Sequence, residues 1–209
     1  MPGTIIVTGA AGGLGLAIAE TVLTRPESFD CLFTVRNNDA PRAKQLHQLI
    51  ASSVNNHKAS TPEIDLGRLD SIRSFACDVN AKVSSGKLPP IKALILNAAF
   101  FMEKGSLQFT QDDKDVKGFE MHFAVNYLAN FLLTLLLLES MDREHGRIVY
   151  VSSWKHDAAL RVNQGHKPEK LKWDPEELAH PKGQVSAGDE AADAMRRYGS
   201  SKLSLVMFM

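Results

Sequence analysis

Apolar and polar positions alternate along this chain in blocks, and the blocks switch between two periods. Thr4 to Thr8 is a continuous β-branched run, Thr-Ile-Ile-Val-Thr, of the kind buried on both faces of a parallel sheet. A glycine-rich turn follows, and then Leu14, Ala17, Ile18 and Val22 recur at helical spacing up to about Pro26. Cys31 to Val35 reads as a second strand and Ala40 to Ser52 as a helix. Residues 53–61 are polar and read as a surface loop, with a short third strand over Pro62 to Leu66. Leu69 to Val83 is amphipathic, Ser84 to Pro90 is a loop, and Ile91 to Leu96 is a fourth strand. Residues 100–115 read as a loop with a small hairpin at Leu107 to Thr110. A long helix is expected over Val116 to Met141, a fifth strand over Gly146 to Ser152, and a last helix from about Ala194.

Apolar strands alternating with helices predict an α/β fold: a doubly wound parallel sheet with right-handed crossovers. The segment 154–197 breaks this rhythm. It is polar and carries Pro168, Pro175 and Pro181, the histidines His156, His166 and His180, and Trp154 and Trp173. It reads as an insertion after the fifth strand, either a wall of the ligand site or a solvated excursion. The histidines have no compact ligand spacing, so no metal site is expected. The 209 residues are expected to form one domain with this insertion near its active site.

Composition narrows the partners. The formal net charge is zero, which gives no reason to expect nucleic acid or an anionic membrane. Two cysteines, Cys31 and Cys77, are too few for a disulfide framework. No basic segment with a long apolar stretch opens the chain, and the most apolar run, Phe131 to Leu138, is too short to span a bilayer. A cytoplasmic protein without a membrane span is expected.

Two clusters carry the chemistry. Tyr198 and Lys202 stand one helical turn apart, so phenol and ammonium share a helix face. A cation there favours the phenolate and brings the tyrosine towards a useful acid/base range. At the other end, Thr8-Gly9-Ala10-Ala11-Gly12-Gly13-Leu14-Gly15 joins a strand to a helix. Glycines without Cβ atoms let the chain turn tightly and a pyrophosphate approach, and the helix N-terminus offers N–H donors.

This turn, Thr-Gly-x-x-x-Gly-x-Gly, resembles the short-chain dehydrogenase/reductase family; with Gly12 it fits the family's extended branch equally well. The resemblance runs along nearly the whole chain and points to a classical-like member with a Rossmann fold. It implies cofactor contacts at Thr8, Gly9, Gly12, Gly13, Leu14 and Gly15, at Asp65 and Leu66, at Asn97 and Ala98, and at Tyr198 and Lys202. Asn97-Ala98-Ala99 matches an Asn-Ala-Gly element, with alanine at the glycine position. Arg36 sits at the end of the second strand, where an arginine can pair with a 2′-phosphate, which favours NADP(H) and leaves NAD(H) as the alternative.

The resemblance implies catalytic roles for Asn126, Ser153, Tyr198 and Lys202. Tyr198 donates the proton, Lys202 depresses its pKa, Ser153 binds the substrate oxygen and Asn126 holds a relay water. The implied reaction is NADP(H)-dependent reduction of a small or hydrophobic ketone, or oxidation of the matching alcohol. A homodimer through the long helix and the tyrosine helix is also implied. Two features depart from the pattern: Ser153 and Tyr198 are far apart in sequence, and the family continues past the tyrosine helix with two more strands. The fold is therefore expected to be truncated after the helix carrying Tyr198 and Lys202. The alternative function is a truncated nucleotide-binding protein without turnover.

Overall fold

The computed structural model describes residues 3–102, 107–111, 118–157, 159–160, 174–182 and 190–209. Nearly half of the 154–197 insertion, including His166, Pro168 and Trp173, lies outside the described residues, as does Val116. The chain divides into two compact units. The first comprises Met1–Leu66, Asp70–Ala98 and Leu132–Val151, and the second Gly67–Leu69, Ala99–Phe131 and Ser152–Met209.

The first unit holds a five-stranded parallel sheet. Its strands are β1 (Thr4–Val7), β2 (Asp30–Phe33), β3 (Lys58–Ser60), β4 (Ile91–Leu96) and β5 (Arg147–Tyr150), in the spatial order β3-β2-β1-β4-β5. Helices α1 (Gly13–Leu23), α2 (Pro41–Ser52) and α3 (Leu69–Ser84) connect the first four strands. The first two crossovers step outward from β1 to β3, and the third returns across β1 to β4. With one handedness throughout, that reversal puts α3 on the opposite face from α1 and α2. Ile5, Val7, Cys31 and Phe33 face one side and form a buried core with Ala19, Val22, Ala43 and Leu46. Cys31 is fully buried, and burial, helped by the charge of Asp30, pushes its thiol up to about 12.

Three expectations need correction here. The third strand lies at Lys58–Ser60, inside the stretch read as a loop, and not at residues 62–66; beyond it only Glu63 keeps a bridge, to Val35. β3 is a polar edge strand whose side chains alternate between exposed and half-buried, so it lacks the apolar run that marks a central strand. The buried face of α1 is Gly15, Ala19, Val22 and Leu23, while Leu14 stays 55% exposed. This helix is apolar almost all round, so its orientation is fixed by the tight seat of Gly15 and not by its periodicity. β5 is also shorter than expected, which places Ser152 and Ser153 beyond its end.

The second unit gathers the N-terminal half of the long helical stretch and the C-terminal helix. The helical stretch begins at Met121 as one turn, α4 (Met121–Phe123), widens into a π turn over Ala124–Leu128, continues as α5 (Ala129–Leu137) and ends in a 3₁₀ turn, Leu138–Ser140. A uniform helix was expected; the π turn is an i→i+5 pattern, closed by Ala129 N donating to Ala124 O, which no hydrophobic period reveals. In place of a self-contained hairpin, Phe109 bridges Glu120 in antiparallel fashion. Residues Met121–Ser140 are long and apolar enough to cross a membrane, yet just over half of that stretch is buried within the protein. A short helix α6 (Pro175–Ala179) follows, and α7 (Glu190–Phe208) carries Tyr198 and Lys202, starting four residues earlier than expected.

Glycines of the turn after β1 differ in what holds them. A Cβ on Gly15 would stand 2.2 Å from Gly9 O, whereas one on Gly13 would meet nothing within 4 Å. Gly15→Ala should therefore lower stability by about 1–3 kcal/mol. Gly13→Ala should be neutral or stabilising by up to about 1 kcal/mol. Chemical denaturation of the two variants checks the contrast.

Candidate active site

In the first unit, the predicted nucleotide contacts of the glycine turn, Asn97 and Ala98 meet at the carboxyl ends of β1 and β4, where the strand order reverses. Thr8 is buried, and its Oγ1 accepts hydrogen bonds from Asn97 N (3.0 Å) and Ala98 N (3.1 Å). Asn97 Nδ2 in turn donates to Thr8 O (2.9 Å) and Gly9 O (3.2 Å). Asn97 thus holds the glycine turn in place. Gly9 takes a φ of +64°, and a Cβ there would lie 2.9 Å from Ala98 Cα. Gly9 and Gly15 are required by closure of the turn itself, while Gly13 borders open space.

Helix α1 starts from Gly12, which has no side chain to cap it, and its first turn carries no acidic residue. The first N–H groups of a helix have no intrahelical acceptor, and the dipole adds partial positive charge there. An uncapped helix start beside an open glycine fits a pyrophosphate group. Arg36, just past the bridging Val35, is exposed and has no ion-pair partner among the described residues. Asp65 is half-buried, with its backbone N donating to Ser71 Oγ at 3.0 Å, and Leu66 is buried.

The four catalytic candidates all fall in the second unit. Asn126 lies in the π turn and is fully buried. Its Nδ2 donates to Phe100 O and to Ser201 Oγ, both at 3.0 Å, and its Oδ1 accepts from Phe100 N at 2.7 Å. Its backbone oxygen accepts from Asn130 Nδ2 at 2.8 Å. Both amide protons are therefore spent on the protein, while Oδ1 keeps one lone pair. Ser153 follows β5 and caps a 3₁₀ turn, Trp154–His156, with Oγ accepting from Lys155 N at 3.3 Å. Its own hydroxyl proton remains available to donate.

On α7, Lys202 is 1% exposed, and its Nζ lies 5.9 Å from the centroid of the Tyr198 ring. Burial pulls its pKa from 10.5 to about 8. Phe101 packs edge-on against Tyr198, with centroids 5.0 Å apart. Sequence reasoning missed Ser201, which joins Asn126 to α7 and donates to Tyr198 O at 2.8 Å. It also missed Phe101. Ser201 stands within the Tyr198–Lys202 turn, so its position was a usable signal; Phe101 meets Tyr198 only through the tertiary fold.

Known proteins resemble this chain. The short chain dehydrogenase family model matches residues 3–162. The short-chain dehydrogenase iccH of Talaromyces variabilis is 46% identical over 158 residues, covering 74% of this chain and 42% of the relative. The dehydrogenase/reductase SDR family member FEY of Arabidopsis thaliana is 30% identical over 213 residues, covering 98% and 48%. Human retinol dehydrogenase 11 is 32% identical over 158 residues, covering 75% and 45%. The chain thus spans less than half the length of these curated relatives. Among solved structures, a metagenomic short-chain oxidoreductase in complex with NADP superposes with a TM-score of 0.57 at 21% identity, over 98% of this chain and 74% of that one. The bulky-bulky ketone specific alcohol dehydrogenase of Comamonas testosteroni does so with 0.60 at 19%, over 99% and 63%. These two share the fold. With the glycine turn at the β1–β4 switch point and the family match over three quarters of its length, the chain belongs to the short-chain dehydrogenase family.

Proposed function

We propose that this chain is the catalytic part of an NADP(H)-dependent oxidoreductase that interconverts a hydrophobic ketone or aldehyde and its alcohol. The observation that carries the reading is the pairing of Tyr198 with a buried Lys202 one helical turn away. Support for the phosphorylated cofactor comes from Arg36 just beyond β2, exposed and without an ion-pair partner among the described residues. It also comes from structural neighbours solved with NADP and, from Sphingobium yanoikuyae, with NADPH. Names of relatives such as polyprenol dehydrogenase and retinol dehydrogenase 11 support an apolar substrate. When bound, the nicotinamide supplies or accepts hydride.

The protein's own residues do the rest. The α1 N-terminus and the Gly12–Gly13 turn hold the pyrophosphate, and Arg36 pairs with the 2′-phosphate. Tyr198 gives a proton to the developing alkoxide, and the Lys202 ammonium favours the resulting phenolate. Ser153 donates its hydroxyl hydrogen to the same oxygen. The free lone pair on Asn126 Oδ1 is available to hold a relay water. We also propose a homodimer, supported by the exposed Leu135 and Leu138 on the long helix; Leu133 and Leu137 of the same helix are buried.

Burying Lys202 has a cost with a definite sign. A lysine whose folded pKa lies below its unfolded value penalises the fold while it is charged. The penalty is complete below about pH 8 and fades as pH rises towards 10.5. Lys202→Met should therefore be more stable than the parent at pH 7, by on the order of 3 kcal/mol. The gap should close between pH 8 and 10.5, as followed by denaturant titration across that range.

Catalysis and cofactor choice are tested separately. NADPH oxidation with a panel of apolar ketones and aldehydes should be seen, and Tyr198→Phe should reduce it by about 100-fold or more while NADPH still binds. NADPH binding without turnover on the whole panel would instead support a nucleotide-binding protein. Arg36→Ala should weaken NADPH by about 10-fold or more and spare NADH, since a charged hydrogen bond contributes about 1.5–3 kcal/mol. Equilibrium binding of the two cofactors decides this.

A further inference from the structure

The second unit contains a buried charge cluster that the mechanism above does not use. Glu120 is 2% exposed and His122 is 1% exposed. His122 Nδ1 donates to Glu120 Oε1 at 2.6 Å, and Phe123 N donates to Glu120 Oε2 at 3.0 Å. Arg197 Nε stands 3.3 Å from the same Oε1, and Arg197 Nη1 pairs with Asp193 Oδ2. Burial lowers the Arg197 pKa while Glu120 pulls it back up, as expected of its counter-ion. Glu120 N donates to Ala179 O at 2.8 Å, so α6 is also fixed to this point.

Both arms of this carboxylate end at Tyr198. Arg197 is its chain neighbour on α7. His122 presents its ring at 76° to the Tyr198 ring, with centroids 6.3 Å apart. The His122 tautomer follows from its partners: Nδ1 gives its hydrogen to the carboxylate, and Nε2 accepts from Met102 N at 3.4 Å. Phe101 fills the space beside both rings, 6.3 Å from His122 and 5.0 Å from Tyr198. A buried carboxylate that lost these partners would be left as an uncompensated charge.

We infer that Glu120 is a positioning residue for Tyr198, setting the phenol through Arg197 on one side and His122 on the other. This rests on reading Tyr198 as the proton donor. Glu120→Gln keeps the size and one acceptor but removes the charge. The folded variant, checked by circular dichroism, should show kcat lower by about 10- to 100-fold with the NADPH Kd unchanged. In the Tyr198→Phe background the same change should cost nothing more, because the residue it acts through is already disabled. A further loss in that background would overturn the proposal.

A second readout needs no turnover. With ¹³Cζ-labelled tyrosine, the three tyrosine signals, Tyr127, Tyr150 and Tyr198, are assigned by single Tyr→Phe changes. Glu120→Gln should move the Tyr198 signal and leave Tyr150 in place. If Glu120→Gln does not fold, Arg197→Gln and His122→Phe each remove one arm and should each move that signal. A Tyr198 signal unmoved by these changes overturns the proposal. If the parent protein turns over no carbonyl, the hydride-transfer reading fails, and the spectrum still decides whether Glu120 places Tyr198.

Discussion

The nucleotide-binding half of this molecule depends on one reciprocal exchange of hydrogen bonds, between Thr8 and Asn97. A threonine hydroxyl can accept while its own backbone oxygen accepts elsewhere, and an asparagine amide can donate twice. Used together across the strand-order reversal, these groups seal the ends of β1 and β4 beside the last ladder bond, from Thr8 N to Ile95 O. The left-handed Gly9 and the tight seat of Gly15 then follow, because the turn has to leave the sheet and enter α1 within a few residues. The open position at Gly13 is a by-product of that geometry and also the most useful part of it.

The second unit solves a different problem. It buries a lysine, a glutamate, a histidine and most of an arginine within a stretch of helix and its neighbours. Such groups weaken a fold unless each finds a partner. Asn126 and Ser201 show how the partners are supplied: the π turn brings one amide to both the Phe100 backbone and a hydroxyl of α7. Burial of Lys202 still carries a cost, which shows in its lowered pKa.

Much of this was legible in the sequence, and for physical reasons. Central strands such as Thr4–Val7 and Ile91–Leu96 are apolar on both faces, so their composition announces them. The glycine turn was legible because few residue types tolerate its backbone. The edge strand Lys58–Ser60 was not, because a half-exposed strand reads like a loop. The seating of α1 was misjudged because an all-round apolar helix carries no directional signal. Of the candidate site, Tyr198 and Lys202 are local and readable, whereas the Glu120–His122–Arg197 cluster beside it joins residues almost eighty positions apart and leaves no spacing to detect. The π turn is invisible for a third reason: it changes the backbone bonding pattern without changing which residues are apolar.

The two cysteines divide a labour that the fold imposes on them. Cys77 is exposed on α3, while Cys31 lies on β2 in the buried core with a thiol that stays protonated at any ordinary pH. Only a thiolate attacks an alkylating reagent. Cys77 can therefore take a fluorophore or spin label on the intact protein, and Cys31 stays silent until the sheet itself opens. The rate at which Cys31 becomes alkylated then measures the free energy of that opening, so the chain carries its own internal gauge of when the nucleotide-binding core comes apart.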